Sequence, residues 1–331
     1  MEYEDKVYGQ VKINDPVILD LINSQEIQRL KEIDQAGYYE PYCPGTKHTR
    51  FEHSMGVYLL LQKFGAPIEE QVAGLLHDVS HSVFSHAIDY VFADGSGKKQ
   101  NHQDKYFKEY VLNSSLPAIL KTHSFDVDYI LEESNFPLKE TELPDLCADR
   151  IDYSLRDSAA YKTASPDERK SILENLTIHD KKWVFKNFNA AYSYAKLFKK
   201  LNGDYYADIS TAVMYRRVAD YLRYAMEKQY ISKSDLYTTE REVIDKINKN
   251  LGEDGKLDLF WKRMNSSSGF ENNPDDYNVE IHCKSRFVDP LCWHEGVIKR
   301  VSEIKPDWKD LVKQESVPKT YFVKFSDNFL R

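Results

Sequence analysis

Apolar residues recur every three to four positions over most of this 331-residue chain, the spacing of helices that bury one stripe. Between residues 16 and 36 the stripe is Val17, Leu21, Ile22, Ile27, Leu30 and Ile33, with a break at Asn23-Ser24. The same spacing predicts helices over 51–64, 69–79 and 84–92, and another carrying Tyr106, Tyr110 and Val111. Further helices are expected over about 115–121, 126–133, 142–160 and 167–175, with two more within 188–230 and a charged one over 240–250. Gly65-Ala66-Pro67 ends one helix and Ser165-Pro166 opens another, while the aromatic 37–45 stretch and the polar 94–100 turn connect others. The first sixteen residues, with a turn at Gly9, suit a hairpin or extended arm. After about residue 235 the pattern changes. A polar loop at 265–276 precedes alternating segments at Val279–Cys283, 297–301 and 321–325, which predict strands, with a short helix at 307–314. The expected fold is mainly α: a helical bundle over 1–235, then a smaller C-terminal α+β subdomain over 236–331.

Composition narrows the function classes. A net charge of −8 gives no general electrostatic pull toward nucleic acid. The first twenty residues are charged throughout, unlike a secretory signal. No apolar run approaches the roughly 20 residues that span a bilayer, so no membrane partner is expected. Cys43, Cys147, Cys283 and Cys292 show no paired spacing, which argues for reduced thiols in a cytoplasmic protein.

Histidine is where the chemistry concentrates. Six of the ten histidines fall between His48 and His102. His77 and Asp78 stand side by side where an apolar helix face ends, and His53 lies on the preceding helix. Imidazole and carboxylate together suit a borderline-hard divalent cation, and a helical bundle can bring such ligands inward from several helices. The missing carboxylate should come from a later apolar helix, and Asp149 in LCADRIDYSLRDS fits. One histidine alone is more often a packed or exposed residue than a ligand; the adjacent pair plus a second histidine makes the metal reading the stronger one. The ion itself is left open among Mn, Mg, Fe, Co, Ni and Zn.

The stretches IQRLKEIDQAGYYEPYCPGTKHTRFEHSMGV, GLLHDVSHSVFSHAID and ADRIDYSLRDS resemble the HD-domain phosphohydrolases, most closely the deoxynucleoside triphosphate triphosphohydrolase subgroup. AVMYRRVADYLRYAME and CKSRFVDP carry a weaker likeness. The resemblance implies an HD-domain helical bundle in which His53, His77, Asp78 and Asp149 hold the metal. It further implies that His81 holds a water or phosphate oxygen, that His86 protonates the leaving oxygen, and that Asp89 and His102 orient and recharge it. Arg50, Arg150 and Tyr153 match phosphate-gripping positions, Gln35 and Asp157 match contacts to the sugar 3′-hydroxyl, and Tyr215 matches an aromatic on the nucleoside. Each has a plainer reading. His81 and His86 can cap a helix end, Arg150 and Arg156 can pair with Asp152 and Asp157 on a surface, His102 can be solvated and Tyr215 can be core. His48, His123, His179, His282 and His294 are read as structural.

The implied reaction is attack of water on the phosphorus nearest the sugar, turning a dNTP into deoxynucleoside and triphosphate. The match departs at Ala36, where the subgroup usually has a leucine beside the sugar, and at Ala207, where some relatives have an arginine on the terminal phosphates. Asn23 and Lys31 replace residues tied to guanine-nucleotide activation, so such activation is expected to be absent or altered. The alternatives are a phosphohydrolase for nucleoside monophosphates, ribonucleotides or a cyclic nucleotide, and a nucleotide sensor without activity. Homo-oligomers, dimers or larger, are usual in the resembling family.

Overall fold

The computed structural model describes residues 1–92 and 97–326; residues 94–96 of the expected 94–100 turn lie outside the described residues. The chain opens as an antiparallel hairpin, β1 (Glu2–Asp5) and β2 (Gly9–Lys12), with Glu2 opposite Lys12. Helix α1 (Pro16–Ile22) starts where Asp15 accepts the Val17 N–H and Pro16 takes the first helical position. The break at Asn23-Ser24 is a real cap, because the Ser24 side chain accepts the Ile27 N–H and starts α2 (Gln25–Arg29). Helix α3 (Arg50–Lys63) opens on a reciprocal pair in which Thr49 and Glu52 each bind the other's main-chain N–H. Its two sides enter different cores. Met55, Tyr58 and Leu59 face one, and Val57, Leu60 and Leu61 the other. A helix apolar on every side belongs in the interior, and α3 is the shaft of the bundle. Helix α4 (Ile68–Leu76) packs close to it through Gly74, where an added Cβ would lie 2.5 Å from the Leu61 side chain.

Helix α4 ends at Leu76, short of the expected residue 79, so His77 and Asp78 project from its end. The expected 84–92 helix is a 3₁₀ turn over Ser85–Tyr90. It is entered through Phe84 and Ser85, both with positive φ (59° and 47°). Such residues cost about 1–3 kcal/mol each and persist only where the surroundings hold them. Helices α5 (His102–Leu112), α6 (Leu116–Thr122) and α7 (Val127–Leu131) follow. The 142–160 prediction is corrected to α8 (Ala148–Ala160). Pro144 has no N–H to give a helix, and the incoming chain instead lays the Leu138 and Lys139 N–H groups on the Glu70 carboxylate. Helix α9 (Pro166–Glu174) opens with Ser165 and Glu168 capping one another.

Two strands where none is expected, β3 (Leu176–His179) and β4 (Lys182–Phe185), lead into α10 (Phe188–Leu201). A π-turn at Asn202–Tyr206 joins it to α11 (Ile209–Glu227). Helix α12 (Glu240–Asn248) is as predicted; α13 (Gly255–Met264) is not. The segment expected to be all loop at 265–276 contains β5 (Phe270–Asn272), and β6 (Val279–Cys283) matches its prediction. Then come β7 (Leu291–His294), β8 (Val297–Arg300), α14 (Val301–Ile304), α15 (Pro306–Glu315) and β9 (Lys319–Phe325).

The fold is mainly α. Besides the β1-β2 hairpin, one small sheet has the order β3-β4-β7-β8, with β4 and β7 parallel, and another has the order β5-β9-β6. Elements from either side of residue 235 share cores as well as sheets, since Val243, Ile247, Leu257 and Met264 lie in the same cluster as α1 and α4. No helix among the described residues is long and apolar enough to cross a membrane.

Candidate metal centre and catalytic cavity

His53 is fully buried in the first turn of α3, where an unpaired polar group would cost about 1–3 kcal/mol. Its ring lies between two carboxylates of α8: Nδ1 is 2.8 Å from Asp152 Oδ2 and Nε2 is 2.9 Å from Asp149 Oδ1. His77 comes in from the end of α4, with Nε2 3.1 Å from His53 Nε2 and 3.5 Å from Asp149 Oδ1. Asp78 closes the group, with Oδ1 3.5 Å from His77 Nε2 and Oδ2 3.8 Å from His53 Nε2. The structure thus brings the four sequence-predicted ligands together from three elements.

The protons show what this arrangement requires. His77 Nδ1 is 2.8 Å from the Gly74 carbonyl oxygen, and His53 Nδ1 faces a carboxylate. Both partners only accept, so each Nδ1 is the N–H and each neutral ring turns its Nε2 lone pair inward. Two lone pairs then face each other beside two carboxylates, an arrangement that repels unless positive charge lies between. Donors about 2.0–2.2 Å from a common ion are separated by distances of this size. In the bare protein a proton plays that part. Burial works against charge on His53, but Asp149 and Asp152 outweigh it and raise its pKa to about 10. Burial would likewise raise the Asp149 carboxyl, yet His53 and His77 hold it well below the usual carboxylate range. The residues fit a divalent cation, which would displace that proton.

A second layer fixes the ligands. Asp152 also accepts from Arg156 Nε at 3.1 Å and Nη2 at 2.9 Å, and Arg156 reaches Asp5 of the hairpin at 3.1 Å. The expected surface pairing of Arg156 with Asp152 is therefore real but buried. Asp152 stands three residues after Asp149, one helical turn along the same face, and that spacing was the signal for it. Arg50, expected on phosphate, bonds Asp78, the Ser85 hydroxyl at 2.7 Å and the Gln35 carbonyl at 3.2 Å. Arg150 likewise binds the Asp145 and Thr141 carbonyls at 2.7 and 3.0 Å and Glu140 at 3.1 Å.

Beyond Asp78 stand the other histidines. His81 Nε2 is 3.3 Å from Asp78 Oδ1, and its ring meets His86 edge-on at 5.3 Å. His86 Nδ1 is 3.4 Å from Asp89 Oδ2. Asp89 meets His102 through the latter's main-chain N–H at 2.9 Å, while the His102 ring stacks on Phe92. Burial pushes His86 down to about 4 against the pull of Asp89.

All of this opens on a cavity of about 1150 Å³. Gln35, Ala36, Arg150, Tyr153, Asp157 and Tyr215 line it beside His77, Asp78, Asp149, His81 and His86. Tyr215 is mostly packed, stacked on Tyr90 at 5.5 Å. Asp157 accepts from the Tyr206 hydroxyl at 2.7 Å through Oδ2, and its Oδ1 lies 3.3 Å from Nε2 of His48, a histidine read as structural. Burial raises Asp157 to about 7 and lowers His48 to about 3. Ala207 is buried, its carbonyl taken by the Tyr321 hydroxyl. Arg216 and Arg217 are committed to Asp220 and to the Ser266 and Ser268 carbonyls. Lys284 and Arg286, on the segment after β6, also line the cavity.

The HD domain family model matches residues 50–225, more than half of the chain. The chain is 34% identical over 293 residues to the uncharacterized protein YdhJ of Bacillus subtilis, with 88% of each covered. It is 28% identical over 317 residues to the metal-dependent phosphohydrolase cns2 of Cordyceps militaris, covering 92% of this chain and 89% of that one. A shorter match, 28% over 163 residues, is to the deoxynucleoside triphosphate triphosphohydrolase SAMHD1 of Gallus gallus, covering 42% of this chain and 26% of that protein. Among solved structures, a hypothetical protein from Aquifex aeolicus shares the fold, with a TM-score of 0.75 at 18% identity over 100% of this chain and 97% of that chain. With its four converging candidate ligands lying on or between helices of the matched region, the chain belongs to the HD-domain family.

Proposed function

We propose that the protein is a metal-dependent phosphohydrolase that cleaves nucleotides at the phosphorus next to the sugar, with dNTPs as the lead substrate class and deoxynucleoside plus triphosphate as products. The observation that carries this is the pair of inward imidazole lone pairs, 3.1 Å apart beside two carboxylates, at the wall of a nucleotide-sized cavity. His53, His77, Asp78 and Asp149 would hold the cation, which when bound acidifies water and polarises a phosphoryl oxygen. His86 uses Nδ1 on Asp89, which leaves Nε2 to give a proton to the departing sugar oxygen as the P–O bond breaks and the water oxygen bonds phosphorus. With its pKa low in the free protein, His86 acquires that proton as the anionic phosphate arrives and favours the charged ring. The tyrosines and Asp157 of the cavity wall offer stacking and hydrogen bonding for a nucleoside.

A second reading, hydrolysis of ribonucleotides or nucleoside monophosphates, draws on Ala36, whose small side chain lines the cavity. Product analysis with Mn²⁺, Mg²⁺, Fe²⁺ or Co²⁺ and a panel of dNTPs, NTPs and NMPs separates the two. Triphosphate released from dNTPs supports the first reading and orthophosphate from monophosphates the second. No product with any metal overturns both.

A further inference from the structure

The arginines expected to grip phosphate are largely occupied. Arg50 spends donors on Asp78, Ser85 and the Gln35 carbonyl, and Arg150 on Asp145, Glu140 and Thr141. Hydrolysis of a phosphoester still needs donors for the phosphoryl oxygens. Two other cations lining the cavity have them to spare. Lys284 makes no ion pair or hydrogen bond among the described residues, and Arg286 uses one guanidinium nitrogen, Nη2, on Gln100 Oε1 at 2.7 Å.

We infer that Lys284 and Arg286, on the segment after β6, are the residues that bind the substrate's phosphoryl oxygens; this rests on the reading of the cavity as a phosphohydrolase site. Both line the same cavity as Asp78 and His86. Their segment is built in rather than loosely laid. The buried Asn202, in the π-turn between α10 and α11, accepts the Arg286 main-chain N–H at 2.8 Å and donates to Ser285 Oγ at 3.0 Å and Glu315 Oε2 at 3.1 Å. One asparagine thus joins the bundle, the cation segment and α15. Burial, with Arg286 adding to it, lowers the Lys284 pKa to about 8. An ammonium partly removed from water, reached by Asp104 and Glu140 only through space and with no hydrogen-bonded acceptor, is a group that an incoming anion restores. A guanidinium with a free edge suits phosphate geometry.

The test is calorimetric titration of the Mn²⁺-loaded full chain with inorganic phosphate, for wild type, Lys284→Ala, Arg286→Ala, the double variant and Lys284→Arg. Each alanine should weaken phosphate binding about tenfold, the loss of one charge-assisted contact, while Lys284→Arg stays near wild type and bound Mn²⁺ is unchanged. A folded double variant that binds phosphate as wild type does, or a wild type that binds none, overturns the inference. If the alanine variants do not fold, Lys284→Gln and Arg286→Gln are judged by the same criteria. The readout is anion binding, so a protein that holds phosphate through these two residues but cleaves no nucleotide would fail the functional reading and not this one.

Discussion

At position 56, one turn beyond His53, only a hydrogen fits. An added Cβ would lie 2.0 Å from Asp152 Oδ1 and 2.1 Å from Arg156 Nη2, the buried pair that steadies His53. Glycine to alanine within a helix ordinarily gains about 0.5–1 kcal/mol. Here the sign should reverse, because overpacking and disturbing a buried ion pair cost more, together about 2–4 kcal/mol. Thermal or denaturant unfolding of Gly56→Ala checks this, and a variant as stable as wild type would contradict it. Asp152→Asn keeps the shape but loses the charge behind His53. It should weaken metal affinity by about 10–100-fold, measured by metal titration, while leaving the four ligands in place. The convergence of the four candidate ligands could be expected from the chain because a histidine beside an aspartate at the end of an apolar helix has few structural uses. Arg156 was harder to read, since an arginine four residues from an aspartate occurs on most exposed helices, and only burial and Asp5 make this pair different.

Helix α12, well outside the histidine-rich segment, reaches the turn that carries His86 through one side chain. Glu240 Oε1 accepts the Asp34 N–H at 2.8 Å and the Phe84 N–H at 3.2 Å, and so holds both the Gln35 loop and the left-handed residues before His86. Burial and the neighbouring Asp34 raise the Glu240 carboxyl to about 8. A carboxyl that binds its proton more tightly when folded makes folding take up a proton. That stabilisation is complete below the unfolded pKa near 4.5 and is lost as pH rises toward 8. Melting temperatures at pH 6 and pH 8.5 should therefore fall for wild type and change less for Glu240→Gln, which mimics the protonated acid. An equal fall in both would contradict this. Most helices were legible because each buries a stripe on a regular period. The 3₁₀ turn at Ser85–Tyr90 was not, because its apolar content matches a helix while Glu240 and the Leu236 carbonyl, which accepts the Val83 N–H at 2.9 Å, impose the turn from far along the chain.

Over the whole molecule, the segment after residue 235 does more than append a small sheet. It supplies Glu240 to the histidine turn, Lys284 and Arg286 to the cavity, and β7 as the parallel partner of β4. None of this shows in local periodicity. β3, β4 and β7 have only four residues each, too short for alternation to register, and the β4–β7 pairing is long-range. The bundle encloses a centre whose acids and imidazoles balance only around positive charge. Metal should accordingly stabilise the fold, since a ligand that binds only the native state adds stability with its concentration. Removing it with a chelator should lower the melting temperature of wild type and leave that of an Asp149→Asn variant nearly unchanged.

The most direct test is the metal content of the purified chain after stripping with chelator, reloading with Mn²⁺ and dialysis, for wild type and Asp149→Asn. About one ion per chain in the wild type and close to none in the variant is the predicted result. Equal loading of the two proteins, or a wild type that retains no ion, would contradict a centre formed by His53, His77, Asp78 and Asp149.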